Sequence, residues 1–366
     1  MLNLFAPINT LGIGTHAYHL ARQFEALGNE ICLVPPLGQV RFEDESVQRW
    51  LLNRERFSAN DPSLMIFDIP WFTQFSGNPR IGFAVFETDG FTKIQLAALR
   101  SCDWLLTPSA WARRVLSDHG INSFVVREGF DPEEFKCDLN PRHPEDIFRF
   151  VNVGKLEERK GTLQLIRCFF LALEREDAEL FLHCENKFDP AWSTKIHEFL
   201  TSHGFRMAVG ASGQTHAVYT RGGLRVVVNH AELPSTAPLY AQADCGIFPS
   251  KGEGWGLPIL ECVASGVPAI VGNWTGHSEF LGPNYPYELT IKSPMKITAY
   301  DGHWYLGDRG DWYAPMDEEL IELIRHAFHN ARALRASKAW ADNVIDFRRF
   351  TWIRAAVELT DFLSII

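Results

Sequence analysis

No stretch of the 366 residues reaches the roughly 18 uninterrupted apolar positions that a membrane-spanning helix requires. The opening residues, Met1 to Phe5, carry no basic side chain and lead straight into an apolar run, so no secretory leader is expected. The seven cysteines contain no C-x-x-C pair, and their odd number does not suit a disulfide framework. They read as small buried hydrophobes in a reducing compartment. H-E-x-x-H is absent, so no zinc site is read and no metal is expected. Positive charge is in short supply: 35 Lys and Arg against 45 Asp and Glu leave a net charge of −10. That balance argues against a nucleic-acid partner, though it leaves room for a small basic pocket. Residues 1–145 hold fewer basic than acidic side chains, so no strongly basic membrane-docking face is evident. A local patch at Arg100, Arg113 and Arg114 is where peripheral contact with a membrane would fall. The expected location is cytoplasmic.

What is present is ordinary globular material, 46% hydrophobic and 22% charged. Single cores stop growing at roughly 250–300 residues, so two domains are expected. The chain opens with an apolar run at 2–6, a glycine turn, an amphipathic stretch at 15–27 and a second apolar run at 31–34. Strand, turn, helix, strand is the opening unit of a parallel α/β sheet. The rhythm continues with strands at 64–67, 81–86, 104–107 and 124–126, and helices at 92–99 and 110–119. A charged, turn-rich segment at 127–147 places the domain boundary there. The alternation restarts with a strand at 148–153, a helix at 162–173 and a strand at 178–184. Strands follow at 226–228, 245–248 and 269–271, with helices at 259–265, 317–335 and 351–363. The Tyr-, Trp-, Gly- and Pro-rich stretch 282–315 resists assignment. Its aromatic part, 285–313, reads either as a lid or carbohydrate platform or as a packed irregular insertion. The fold class is therefore α/β, with two doubly wound halves: residues 1–145 joined by a final helix at about 350–366, and residues 146–349. Ligands of open α/β sheets sit at the strand ends, so a cleft between the halves is expected to hold the site.

Three constellations carry chemistry. Gly12-Ile13-Gly14-Thr15-His16-Ala17 fits G-x-G-x-x-A between a strand and a helix, a turn that lets a phosphate approach helix amides. The second strand ends Leu33-Val34-Pro35-Pro36, without the carboxylate that a nicotinamide ribose would need. In Gly154-Lys155-Leu156-Glu157-Glu158-Arg159-Lys160-Gly161, two ammonium groups flank the mouth of a strand-to-helix loop and suit a diphosphate. The other reading is a solvated charge run. In Lys251-Gly252-Glu253-Gly254-Trp255-Gly256-Leu257-Pro258, glycines around Glu253 allow backbone amides close to a ligand. Glu261 follows eight residues later, and a carboxylate that accepts two hydrogen bonds suits a sugar diol.

Glu253 and Glu261 form an E-x7-E pattern, and Gly254-Trp255-Gly256-Leu257-Pro258 resembles the E-G-F-G-L-P run of family 4 retaining glycosyltransferases of the GT-B fold. Gly266-Val267-Pro268, Gly276-His277-Ser278-Glu279 and Leu239-Tyr240…Ala243-Asp244 are similar to further elements of that family, as is the 154–161 segment. Phe86-Glu87-Thr88-Asp89, Pro108-Ser109 and Gly129-Phe130-Asp131 resemble a bacterial branch of it, and Phe350-Thr351-Trp352 the start of its last helix, which crosses back to the N-terminal domain. The resemblance implies a GT-B architecture, two Rossmann-like domains across a cleft. It implies transfer of a sugar from a nucleotide-diphosphate sugar to an acceptor hydroxyl with retention, and no further cofactor. It assigns Glu253 to the donor sugar, with Gly254, Trp255, Gly256 and Leu257 offering amides beside it. It assigns Glu261 to the ribose, Lys155 and Lys160 to the diphosphate, and Gly12 and Gly14 to the reaction side, with Arg159 among the donor-binding residues. Glu87 stands where many members carry histidine and would serve the sugar hydroxyls or the acceptor proton. The region 205–232, including Arg206 and Asn229, is the expected base pocket. The absence of D-x-D fits metal-independent stabilisation of the leaving group. The acceptor, whether saccharide, glycan, lipid-linked or protein, is not specified. A nucleotide-sugar epimerase on the same scaffold, or a non-catalytic binding protein, are the other readings. Epimer formation without acceptor, or donor binding without turnover, would distinguish them.

Overall fold

The computed structural model describes residues 1–41, 44–209, 216–282, 285–302 and 305–366. The expected base-pocket region and aromatic stretch each run partly through the remaining positions, at 210–215, 283–284 and 303–304. Those parts lie outside the described residues.

Six parallel strands build the first sheet: β1 (Leu2–Phe5), β2 (Ile31–Leu33), β3 (Ser63–Met65), β4 (Arg80–Phe83), β5 (Trp104–Thr107) and β6 (Phe124–Val125). Their order is β2-β1-β3-β4-β5-β6. The helices α1 (Gly12–Ala26), α2 (Glu45–Leu52), α3 (Lys93–Leu99) and α4 (Ala110–Asp118) connect them. Local chemistry fixes the helix starts. Ser109 accepts the Ala112 amide at 3.1 Å, and Thr92 with Gln95 forms a capping box.

The second sheet contains β7 (Phe148–Lys155), β8 (Ala178–Glu185), β9 (Arg206–Val209), β10 (His216–Arg221), β11 (Leu224–Asn229), β12 (Cys245–Phe248), β13 (Ala269–Gly272) and β14 (Thr290–Ile291). The order is β14-β13-β12-β7-β8-β11-β10-β9. All neighbours are parallel except β10, which runs against β9 and β11. Every residue of β12 and β13 is buried, as expected for parallel strands covered on both faces. The helices α5 (Thr162–Ala172), α6 (Ala191–Ser202), α7 (Ala237–Ala241) and α8 (Leu257–Ala264) link these strands. Gly256 precedes α8 at φ +106°, a conformation costly for any residue with a side chain.

A two-stranded antiparallel hairpin, β15 (Pro294–Tyr300) and β16 (Leu306–Pro315), belongs to neither sheet. The chain then closes with α9 (Asp317–Arg335), α10 (Lys338–Phe347) and α11 (Trp352–Ile365). α11 returns to the first sheet. Trp352 stacks on His16 and His19 of α1, Leu359 faces Leu4, Leu20 and Phe24, and Phe362 packs against Trp104 and Phe124. Among the described residues no helix is long and apolar enough to cross a membrane.

The strand–helix rhythm matches the sequence expectation at most strands, with adjusted ends. β4 stops at Phe83, short of the expected 86, and residues 84–92 continue as a loop. α1 begins at Gly12, so both glycines of the first constellation lie inside its first turn. α2, α6, α7 and α10 and the strands β9, β10 and β14 were not anticipated, and the unassigned stretch 282–315 contains the hairpin.

Candidate functional site

Loops leaving the C-terminal ends of both sheets converge. Those after β4 and β6 carry Glu87, Asp89 and Glu128; those after β7, β12 and β13 carry residues 156–161, 249–256 and 273–280. Loops at these strand ends are where open α/β sheets bind ligands. The two sets touch directly. A Cβ on Gly252 would strike the Glu87 carbonyl, and one on Gly254 would strike Val85 and Phe86. The glycines expected to admit a ligand therefore also admit the opposite loop.

Arg159 is the hub. It is buried, and its Nη1 donates to Glu253 Oε2 at 2.9 Å and to the Gly252 carbonyl at 2.5 Å. Its Nη2 donates to Glu157 Oε1 at 2.6 Å and lies 3.8 Å from Glu87 Oε1. Lys160 Nζ donates to Glu253 Oε1 at 2.6 Å, and Lys155 Nζ pairs with Glu157 Oε2 at 2.9 Å. Burial by itself would raise the Glu253 carboxyl, but Lys160 and Arg159 outweigh it and hold the group well below the usual carboxylate range. Glu157 behaves alike: burial raises it, and Arg159 and Lys155 bring it below its ordinary value. Three cations and three carboxylates thus share one space.

Of the sequence-predicted residues, the structure brings together Lys155, Arg159, Lys160, Glu253 and Glu87. Others stand apart. Glu261 accepts from Thr236 at 3.3 Å and from the Tyr240 hydroxyl at 3.5 Å, and burial, with Glu134 adding repulsion, pushes it up to about 7. Asn229 caps the turn after β11 through the Ala231 amide at 3.1 Å and meets His183 Nδ1 at 3.3 Å. Neither shares a hydrogen bond or ion pair with the Arg159 cluster among the described residues. Gly12 is open, whereas a Cβ on Gly14 would collide with Asn9. Trp255 turns its ring into the core against Phe280 and Phe350, leaving only its backbone toward the loops, and Leu257 is buried.

Several residues were given no role by sequence reasoning. Glu128 is buried 3.4 Å from His16 Nδ1, and burial, then Glu253 and Glu87, push its carboxyl up to about 8. Its sequence signal was slight, a single acid before the matched Gly129-Phe130-Asp131. His16 is pushed down to about 3 by burial. Glu279 accepts from Arg127 Nη2 at 3.1 Å and from the Ala110 amide at the start of α4 at 2.8 Å, bridging the halves. Tyr305 donates its hydroxyl to Glu87 Oε2 at 2.6 Å. Among the described residues no group of three or more His, Cys, Asp or Glu is arranged to hold a metal ion.

Residues 147–293 match the family described as Glycosyl transferases group 1. The MMP alpha-(1->4)-mannosyltransferase of Mycolicibacterium hassiacum is 27% identical over 200 residues, 53% of this chain and 43% of that protein. The chain spans about two fifths of the length of the curated relatives it matches, 38% and 43%. Sucrose-phosphate synthase from Thermosynechococcus elongatus superposes with a TM-score of 0.67 at 12% identity, covering 99% of this chain and 98% of that one. Anabaena HepE in complex with UDP and glucose gives 0.64 at 14% identity, covering 100% and 99%. At such identity the likeness is one of fold, and the fold is GT-B.

Proposed function

We propose that this chain is a glycosyltransferase that moves a sugar from a nucleotide-diphosphate sugar to an acceptor hydroxyl. One observation carries the reading: Arg159 and Lys160 meet Glu253, with Lys155 beside them on Glu157, where the loops of the two halves converge. The family match over 147–293, the mannosyltransferase relative and the neighbour solved with UDP and glucose support it.

The chemistry follows from the charges. As the bond between the anomeric carbon and the diphosphate breaks, the electron pair leaves with the phosphate oxygen. Lys155 and Lys160 take that developing charge, which needs a preorganised cation or dipole in a water-poor site. When Lys160 turns to phosphate, Glu253 Oε1 is freed to accept from a sugar hydroxyl, while Arg159 keeps hold of Oε2. The acceptor oxygen attacks from the leaving-group face, which retains the anomeric configuration, and its proton passes to the departing phosphate. Glu87, 3.8 Å from Arg159, lies at the rim where it meets a sugar hydroxyl or the acceptor. Glu261, with Thr236 and Tyr240, takes the ribose diol. The cations suffice for the leaving group without a metal, and the E-x7-E pattern supports membership of the retaining family 4.

A thermal-shift panel of UDP, GDP, ADP and dTDP with their sugars tests this. At 100 times Kd a ligand adds about 2.7 kcal/mol, enough to move the melting temperature by several degrees. One base is expected to stand out, and Lys160→Ala is expected to lose both the shift and most turnover. No shift with any member, or near-normal turnover in Lys160→Ala, overturns the assignment.

A further inference from the structure

The hairpin β15–β16 springs from the second half of the chain, yet it reaches the first. Its hydrogen bonds and ion pairs with that half gather on Glu87 and Asp89. The Asp311 amide donates to Asp89 Oδ1 at 2.8 Å, the Tyr313 hydroxyl to Asp89 Oδ2 at 3.3 Å, and Lys296 pairs with Asp89 at 2.9 Å. The backbones at Gly90 and Gly310 approach so closely that a Cβ on Gly310 would strike the Gly90 amide. Buried Trp312 fixes the hairpin on its own side, against Gly252, and the Tyr313 amide donates to the Lys251 carbonyl at 2.8 Å. Asp89 thus sets the register, and that register delivers the Tyr305 hydroxyl to Glu87 Oε2 at 2.6 Å.

We propose that Tyr305 is a positioning residue that aims the Glu87 carboxylate across the cleft. The inference rests on the reading of Glu87 as a group that meets the sugar or the acceptor. Glu87 sits on a loop of the first half, but both of its oxygens face donors from the second: Tyr305 on one side, Arg159 on the other. A glutamate on a loop has three rotatable side-chain bonds and needs such supports to hold a productive geometry within about 0.5 Å. The Tyr305 ring rests edge-on against Trp312 at 4.8 Å, a contact that phenylalanine keeps. Only the hydroxyl is lost in Tyr305→Phe, and the aim of Glu87 with it. The arrangement also ties aim to closure, because Tyr305 reaches Glu87 only while the halves are together.

The test uses the full chain with UDP-glucose, UDP-N-acetylglucosamine, GDP-mannose and ADP-glucose, read as nucleoside diphosphate release, and hydrogen exchange of residues 85–90 without ligand. Tyr305→Phe is expected to lower kcat by roughly 10–100-fold, since a misplacement near 1 Å can cost about 100-fold, while donor KM stays within about twofold. Glu87→Gln should be slow as well, and the double variant no slower than Glu87→Gln alone. Exchange at 85–90 should rise in Tyr305→Phe and stay unchanged at 254–261. Wild-type kcat in Tyr305→Phe beside a slow Glu87→Gln, an additive double variant, or unchanged exchange at 85–90 overturns the positioning role. Full turnover in Glu87→Gln removes the role of Glu87, and the inference with it. If wild type releases nothing from any donor while exchange still rises, the functional reading fails, and Tyr305 orders the loop at 85–90 without serving catalysis.

Discussion

Glu128 and His16 are two titratable side chains held in the form that burial prefers. The Glu128 carboxyl, ordinarily near 4.5, is pushed up to about 8, and the His16 imidazole, ordinarily near 6.5, down to about 3. In the unfolded chain Glu128 gives up its proton near 4.5; in the folded chain it keeps it to about 8. Between those values the folded state binds more protons, so this group's contribution is intact below 4.5 and is lost as pH rises through 8. His16 acts oppositely: its neutral form is kept, and stability falls as pH drops from 6.5 toward 3. Glu128→Gln preserves the shape and cannot ionise. It should raise the melting temperature clearly at pH 8.5 and hardly at pH 5; an equal effect at both would contradict the account. Legibility at this scale was uneven. Glu253 with Lys160 was visible because glycines and a strand-to-helix spacing framed them. Glu157 and Arg159 were visible only as part of a run that read equally well as solvated, because side-chain direction in a short turn follows no period a sequence displays. Both are buried. Glu128 had only the neighbouring Gly129-Phe130-Asp131 to mark it.

Elements with a clear apolar period were readable, and those held by contacts from far along the chain were not. β12, β13 and α9 announce themselves by continuous or amphipathic hydrophobic patterning. The hairpin does not, because its strands are half exposed and its partners, Glu87 and Asp89, lie more than 200 residues away. Its aromatics suggested a lid or platform or a packed irregular insertion, and Trp312 is the buried peg that seats it. Two glycines in the hairpin separate conformation from docking. Gly302 and Gly310 both have positive φ, 76° and 97°, but a Cβ at Gly302 meets only the Tyr300 hydroxyl at 3.9 Å. Each alanine variant should lose about 1–2 kcal/mol for the left-handed backbone. Gly310→Ala should lose more, because its new methyl displaces the hairpin from Gly90. Urea midpoints of the two variants check this, and equal losses would mean that the close approach carries no energy.

Across the whole molecule, the alternation of strands and helices made two Rossmann-like units readable before any coordinates. The way they embrace was carried by one short match, Phe350-Thr351-Trp352. In the structure the Phe130 amide donates to the Phe350 carbonyl at 3.1 Å, and α11 then fills the face of the first sheet with Trp352, Leu359 and Phe362. A fragment of residues 1–145 therefore lacks part of its core. It should bind a hydrophobic dye and melt without cooperativity, and a peptide of residues 350–366 should restore a sharp transition. Cooperative melting of the fragment alone would show that α11 is dispensable. The geometry of α11 also bears on how the protein is made. At roughly 5–20 residues per second, the ribosome needs on the order of ten seconds or more to pass from β6 to α11. During that interval the part born first waits, its apolar flank uncovered, for the part born last, so a chaperone on the nascent chain would protect the beginning rather than the end.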